Sequence, residues 1–480
     1  MLSRKTLGGG GMWTFATAAS APLVVLVGGI VATYATTGVV GVPLGFLIIG
    51  VVVALLSVGY TAMARHVPHA AVYYAVLGRG LGRSVGVAGG MVALLGYNAI
   101  QISLYGLLGA TLSNLVGGPW WVWSYVALAI VGVLGVRAVA LSTRLLAVIL
   151  VLSVVIVLLF DFAALAGPAT GSISFEGFQP SQLFVSGVGG ALALCLAALI
   201  GFEAPASFSE EARSSSAVTR AVLAGVAFLA VLYAFTAWAT GVAVGPTAVA
   251  DAARDPQVGL PFNVFEQQFG SLMTPVTQTV LCLAVLTSLL AFHSVIARYG
   301  FAMAREGVLP AALATTGTGT RAGNPVGGSV LQTGIALVVV TLFAVSRADP
   351  VATFFTWLST LGALTLLTLL LCASLAALAY FARNGAGENA WTRIIAPVLG
   401  VGLGAAVLLA LLLNVGSLLG AAPGSSLPFI LPAVVVLVAV AGLIWAARLR
   451  RGDPDVWQNI SRGRPQEHAV PDRRLDDIDV

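Results

Sequence analysis

A chain of 480 residues that is 59% apolar and 9% charged, with a mean hydropathy of +1.00, cannot clothe itself in a water-facing surface, which ordinarily carries about 25% charge. The net charge of +5 does not point to nucleic acid, because the arginines gather between apolar runs in the pattern of a membrane protein. Unbroken hydrophobic stretches such as 44–56, 145–159 and 364–378 exclude a membrane β-barrel, whose strands alternate over about ten residues. They leave helices of about 20 residues as the spanning element.

The sequence predicts an all-α integral membrane protein with twelve transmembrane helices, at 12–37, 41–64, 86–116, 120–138, 141–166, 183–209, 217–245, 272–303, 326–346, 351–381, 392–416 and 428–447. Residues 1–11 precede the first helix, and 451–480 read as a disordered cytoplasmic tail rich in Arg, Asp, Pro and Gln. The first span is interrupted at Thr17-Ala18-Ala19-Ser20-Ala21-Pro22. Pro22 lacks a backbone donor and disfavours helix in the residue before it. The Ala19-Ser20-Ala21 triplet imitates a signal-peptidase site, but the apolar run continues past it, so the first helix is expected to stay uncleaved.

In the third span Tyr97, Gln101 and Tyr105 recur at four-residue spacing beside Asn98 and Ser103. Such a stripe either lines a cavity or bonds a neighbouring helix. Asp161, near the outer end of the fifth span, reads as a solvated helix end. The sixth span is broken at Ile200-Gly201-Phe202-Glu203-Ala204-Pro205. Glu203 is the sharpest single residue, since an ionisable group within a span needs a cavity or a partner. It could carry a proton, gate the pathway or recognise a cationic substrate; a helix-end carboxylate is the plainer reading. His293 and Ser294 in the eighth span pose the same choice between relay and interhelical bond. Phe354, Phe355 and Trp357 at the start of the tenth could gate a cavity or form an interfacial aromatic belt.

The two breaks lie roughly 180 residues and five spans apart, so the second half would run with opposite topology. Carriers place their substrate at such discontinuous helices. The repeats would be 12–166 and 183–381, with 392–450 supplying two further helices. With the N-terminus in the cytoplasm, 21 of the 23 Lys and Arg residues fall on cytoplasmic segments, Arg254 and Arg347 being the exceptions. Both termini are therefore expected in the cytoplasm and the protein in the cytoplasmic membrane.

Cys195, Cys282 and Cys372 all sit within spans and suggest packing rather than disulfides. The run Gly8–Gly11 lacks the Gly-Lys-Ser/Thr of a phosphate loop, and Gly80, Gly82 and Gly86 are misspaced for a dinucleotide turn. His66, His69, His293 and His468 show no metal-ligand spacing. No cofactor, metal or enzymatic chemistry is expected, and without a nucleotide-binding domain uphill transport must use an ion gradient or exchange. The Asn459-Ile460-Ser461 sequon lies in the cytoplasmic tail, where glycosylation is not expected.

The chain resembles the amino acid–polyamine–organocation superfamily, specifically bacterial amino acid permeases, across roughly 12–450. The resemblance rests on Ala18–Leu23, on Arg65-His66-Val67-Pro68 leading to Tyr73-Tyr74 and Leu81-Gly82, and on Tyr97–Gln101. Gly201-Phe202-Glu203 and Ala297-Arg298-Tyr299 with Ala304-Arg305-Glu306-Gly307-Val308-Leu309-Pro310 complete it. It implies a five-plus-five inverted repeat with discontinuous first and sixth helices and a peripheral eleventh and twelfth. It further implies that a substrate's carboxylate and amino groups bind the backbone around Ala18, Ala19, Ser20 and Ala21 and around Ile200, Gly201, Phe202 and Glu203. Side-chain selection would come from the third, sixth, eighth and tenth helices; Tyr97, Asn98 and Gln101 are the side-chain candidates, and Glu203, His293 and Ser153 the candidates for coupling or gating.

Two departures stand out. His69-Ala70-Ala71 replaces the usual Asn-Ala-Gly after Pro68, and Ser153 occupies the position where several relatives carry an ionisable residue linked to proton coupling. Lys5 is the chain's one lysine, so lysine-based coupling is excluded. The expectation is alternating-access transport of an amino acid, proton-driven or by exchange. A polyamine or other amine carrier of the same fold, and a transport-inactive nutrient sensor, are the competing readings.

Overall fold

The computed structural model describes residues 8–137, 143–211, 215–255, 260–317, 325–384, 387–422 and 424–462. Within them the chain forms helices α1 (Gly9–Thr37), α2 (Val42–His66), α3 (Arg83–Val116), α4 (Trp120–Val136), α5 (Thr143–Ala166) and α6 (Val188–Glu210). There follow α7 (Ser215–Val244), α8 (Met273–Arg305), α9 (Val326–Val345), α10 (Pro350–Arg383), α11 (Trp391–Leu418) and α12 (Leu427–Gly452). Among the described residues eleven are long and apolar enough to cross a membrane. The remaining one, α4, has 17 residues, about 25 Å of helix, which is the short limit for a span.

Sequence chemistry accounts for the helix ends. Pro43, Pro350 and Pro428 occupy first-turn positions where no donor is needed. Arg65, His66, Arg305, Arg383, Arg450 and Arg451 sit in last turns, where positive charge offsets the helix dipole. The sixth helix begins at Val188 rather than 183, because Gly187 turns the chain at φ 93°. A Cβ there would sit 2.8 Å from the Thr37 carbonyl oxygen.

The core lies among α1, α2, α3, α6, α7, α8 and α10, which pack on one another. In contrast, only 28%, 33% and 17% of the most apolar stretches of α9, α11 and α12 are buried. Their exposed Val338, Leu413, Phe429 and Leu437 form an apolar flank that only lipid can solvate.

Two connections are more structured than expected. The 246–271 loop holds short helices Val249–Arg254 and Phe262–Phe269, the latter lying against α5 and α8. After α12 the chain does not run free at 451: Pro454–Asn459 is helical, and Ile460 and Ser461 are buried. The remainder of the predicted tail, 463–480, lies outside the described residues.

Candidate functional site

The first half of α1 ends at Ser20, and Ala21 takes a left-handed conformation (φ 44°, ψ 81°) before the helix restarts at Pro22. In α6 the helix runs to Leu199, Ile200 is extended (φ −56°, ψ 137°), and the chain resumes as a tighter helix from Ala204. Gly201 between them has φ 116°, a conformation essentially reserved for glycine.

The two breaks, 180 residues apart, touch. The Ser20 hydroxyl lies 3.1 Å from the carbonyl oxygens of both Leu199 and Ile200. A Cβ on Gly201 would come within 2.8 Å of the Ser20 nitrogen, so the glycine is needed for approach as well as for its φ. On the other side, the Ser288 hydroxyl of α8 lies 3.2 and 3.1 Å from the carbonyl oxygens of Ala18 and Ala19. Tyr233 of α7 donates to the Ser20 carbonyl at 3.3 Å.

A cavity adjoins both breaks. Ala19, Ser20, Ala21 and Ile200 form its floor. The α3 face carrying Ile100, Ser103 and Leu104 forms one wall, and Ser288 and Phe292 of α8 another. Phe355, Thr356 and Ser359 of α10 close the third side, with Ser359 Oγ 3.2 Å from Ser103 Oγ. Among the described residues, no Asp, Glu, Lys, Arg or His lines it. Ser288, Phe292, Thr356 and Ser359 were not singled out as cavity residues by sequence, and Ser103 was noted only beside the stripe of the third span; a hydroxyl in an apolar span is too common to mark a wall.

The other candidates lie elsewhere. Gln101 faces away from the cavity and donates to the Leu289 carbonyl at 3.1 Å. It also bonds to Gln332 of α9 and approaches His293 Nδ1 at 3.5 Å. His293 is buried, with Nε2 2.6 Å from Ser329 Oγ. Gln101 and His293 thus knit α3, α8 and α9 together. Asn98 spends its amide on the Leu94 carbonyl at 2.7 Å. Tyr97 lies tilted against Tyr73 and Tyr299, ring centres 6.5 and 6.1 Å apart. Phe202 and Ser153 are buried, and Ala18 packs on Leu146 and Leu150 of α5.

Glu203 is 1% exposed. Its Oε2 accepts the Gly201 N–H at 3.0 Å, and its Oε1 has no partner. It lies within electrostatic reach of the phenols of Tyr60, Tyr73 and Tyr97 and is not among the residues lining the cavity. Phe354 is buried between Trp120 and Phe343, whereas its neighbour Phe355 reaches the cavity. Asp161 is a correction: it is 1% exposed, not a solvated helix end. The Phe262–Phe269 helix lies over α5 near it, with Phe265 edge-on to Phe160 at 5.6 Å.

The end of the bundle holding most of the arginines is closed. His69 Nδ1 accepts from Ala71 N–H at 2.9 Å, which leaves Nε2 to donate to Glu306 Oε1 at 2.9 Å. The Tyr74 hydroxyl donates to Glu306 Oε2 at 2.5 Å; burial, and then the Glu306 charge, push this phenol up from its ordinary value, so it keeps its proton. Arg305 grips both oxygens of Glu210 at 2.6 and 3.2 Å. The chain after α12 straps across this cluster: Ser461 N–H reaches Glu306 Oε2 at 2.9 Å, and its hydroxyl donates to the Tyr74 carbonyl at 3.1 Å.

Comparison with known proteins places this geometry. The family model for "Amino acid permease" matches residues 11–456. Among solved structures, a mutant of the manganese transporter of Eremococcus coleocola superimposes with a TM-score of 0.55 at 15% identity, covering 93% of this chain and 95% of that one. The same transporter in complex with an aromatic bis-isothiourea substituted compound gives 0.55 at 13% identity, with the same coverage. A search of curated proteins gave no match. At these identities the structural likeness establishes a shared transporter fold.

Proposed function

The chain belongs to the amino acid permease family, and from that premise we propose that it carries amino acids with uncharged side chains across the cytoplasmic membrane by alternating access. The observation that carries this reading is the meeting of two broken helices at the floor of a cavity without charged lining. A half-helix beginning at Pro22 offers its positive end to a carboxylate. The carbonyls of Leu199 and Ile200, at the end of the other half-helix, suit an ammonium. A zwitterion is read by main chain at both ends, and aliphatic walls with a few hydroxyls are left for its side chain. Drive by a proton gradient or by exchange is part of the reading.

A polyamine carries a second ammonium that this cavity leaves without a counter-charge, since Glu203 is not among its lining residues. The manganese cargo of the structural neighbour is disfavoured by the same lining, because a hard divalent cation asks for carboxylate oxygens. Orientation follows from charge: the closed end holding Arg65, Arg79, Arg83, Arg305 and Arg383 is the cytoplasmic one, and the cavity belongs to an outward-facing state.

The test is reconstitution in liposomes with a panel of radiolabelled amino acids, diamines and Mn²⁺, with and without an inward proton gradient. Uptake of leucine- or valine-like substrates, and none of putrescine or Mn²⁺, is the expected result. Failure of well-folded protein to move or exchange any amino acid would sink the reading.

A further inference from the structure

Asp161 is unused by the substrate site, yet it is the kind of group a membrane protein does not keep idly. It stands on α5 eight residues beyond Ser153, about 12 Å along the axis, and is 1% exposed. Its Oδ2 accepts a single hydrogen bond, from Thr236 Oγ1 of α7 at 3.1 Å, and its Oδ1 has no partner. A carboxylate held ionised in that setting lacks the second donor and the counter-charge that burial demands.

Among the described residues, no charge on the elements packed against α5 compensates it. The first half of α1 carries no titratable side chain, and Tyr34 on its second half donates to the Ala237 carbonyl at 2.9 Å. On α7, Arg220 is exposed beside Ser216 and Tyr233 is turned to Ser20. On α8, Cys282 is half-buried, His293 is bonded to Ser329, Arg298 stacks over Phe208, and Arg305 holds Glu210. Tyr299, also on α8, faces the Tyr74 backbone N–H. On the covering helix, Glu266 is exposed and accepts from Thr274. Among the described residues, the Thr236 hydroxyl is the group that hydrogen-bonds to Asp161.

A short stretch of α7 joins this carboxylate to the substrate site. Tyr233, Thr236 and Ala237 make three links within five residues: to the Ser20 carbonyl at the α1 break, to Asp161 on α5, and to Tyr34 on the outer half of α1. Helix α5 also packs on the Pro22–Val24 turn that follows the break, and Val24 lines the cavity.

We propose that Asp161 is the proton-binding site of this carrier, coupled to substrate through the Tyr233–Ala237 turn of α7. The proposal rests on the transport reading above and selects proton coupling within it. A proton from the outer solution forms an O–H bond at Oδ1 and neutralises the carboxylate. That bond breaks again when the site opens to the other side, and no other covalent bond changes. With the proton on Oδ1, Oδ2 still accepts from Thr236 but as a neutral carbonyl oxygen, a weaker acceptor than a carboxylate, and this alters how strongly α5 holds Thr236. The same turn of α7 holds the Ser20 carbonyl, which makes the break sensitive to the proton.

The test separates exchange from accumulation in proteoliposomes. Wild type is expected to show both substrate counterflow and accumulation driven by an inward proton gradient. Asp161→Asn, nearly isosteric, should keep counterflow and lose gradient-driven accumulation by about tenfold or more, within the usual range of site-to-site coupling. Its uptake should also lose pH dependence, and Asp161→Glu should restore part of both. As a readout independent of turnover, substrate added to weakly buffered detergent-solubilised protein should change proton binding in wild type and not in Asp161→Asn. An Asp161→Asn protein with wild-type accumulation, pH profile and proton binding overturns the proposal. So does a wild type that exchanges substrate but never responds to a proton gradient, although the carrier reading would then stand. Absence of any transport by folded wild type removes both.

Discussion

Single residues divide by how far their chemistry reaches along the chain. Glu203 announced itself in the sequence because a carboxylate in an apolar run is costly anywhere in a membrane, and it is buried inside the bundle rather than left facing lipid. Asp161 carries the same cost but sits near a helix end, so sequence allowed it solvent. What covers α5 there is a helix about a hundred positions away, Phe262–Phe269, and no local pattern reveals such a lid. His69 looked like a departure from the family's Asn-Ala-Gly, and its ring explains the exchange. Nδ1 accepts a backbone N–H two residues on, as an asparagine oxygen would, while Nε2 adds a bond to Glu306. For Glu203→Gln the side chain retains an acceptor for Gly201 N–H, so the protein should fold and insert normally. Its substrate affinity should lose pH dependence while gradient-driven accumulation persists. Unchanged affinity and unchanged pH dependence would assign Glu203 to structure alone.

Elements were legible wherever a breaker interrupts an apolar run. Pro22 and the Gly201–Pro205 pair marked both discontinuities, and the structure has Ala21 left-handed and Gly201 at positive φ at those points. The faces of α3 were not legible, because every side of that helix meets protein and no solvent side breaks the symmetry. The Tyr97–Gln101–Tyr105 stripe turns toward neighbouring helices, and the quieter Ile100–Ser103–Leu104 face lines the cavity. Gly201→Ala tests whether contact between the breaks matters. A Cβ must clash with the Ser20 nitrogen, and the backbone strain alone is about 1–3 kcal/mol. Uptake should fall by about tenfold or more if positioning is lost by a fraction of an ångström, with the protein still extracted as a monodisperse species. Wild-type uptake would mean that the breaks tolerate separation.

At the scale of the whole molecule, α1, α6 and their neighbours form a buried centre, and α9, α11 and α12 a lipid-facing flank. Hydrophobicity alone foretold that the chain is membrane-embedded, but it could not say that the segment after α12 returns to the bundle. Asp, Pro and Gln read as disorder, yet Trp457 lies beneath the Arg83 and Arg450 guanidiniums at 5.7 and 5.9 Å, and Ser461 is buried on Tyr74 and Glu306. Deleting residues from Pro454 onward should leave the helices intact and loosen this end. Faster backbone hydrogen exchange in 72–80 and 303–310 is expected, with little change around the cavity residues. Equal exchange in both regions would show that the strap seals nothing.

That strap also sets an order of events in time. Ser461 bonds to a carbonyl 387 positions earlier and to a carboxylate 155 positions earlier, so a chain threaded into the bilayer from its N-terminus carries Tyr74 through most of synthesis, and Glu306 through its last third, before Ser461 reaches them. The seal at this end is a last step of assembly, made when every helix is already in place, and a chain stalled or cut before residue 461 leaves the translocon with that acid and phenol still waiting for it.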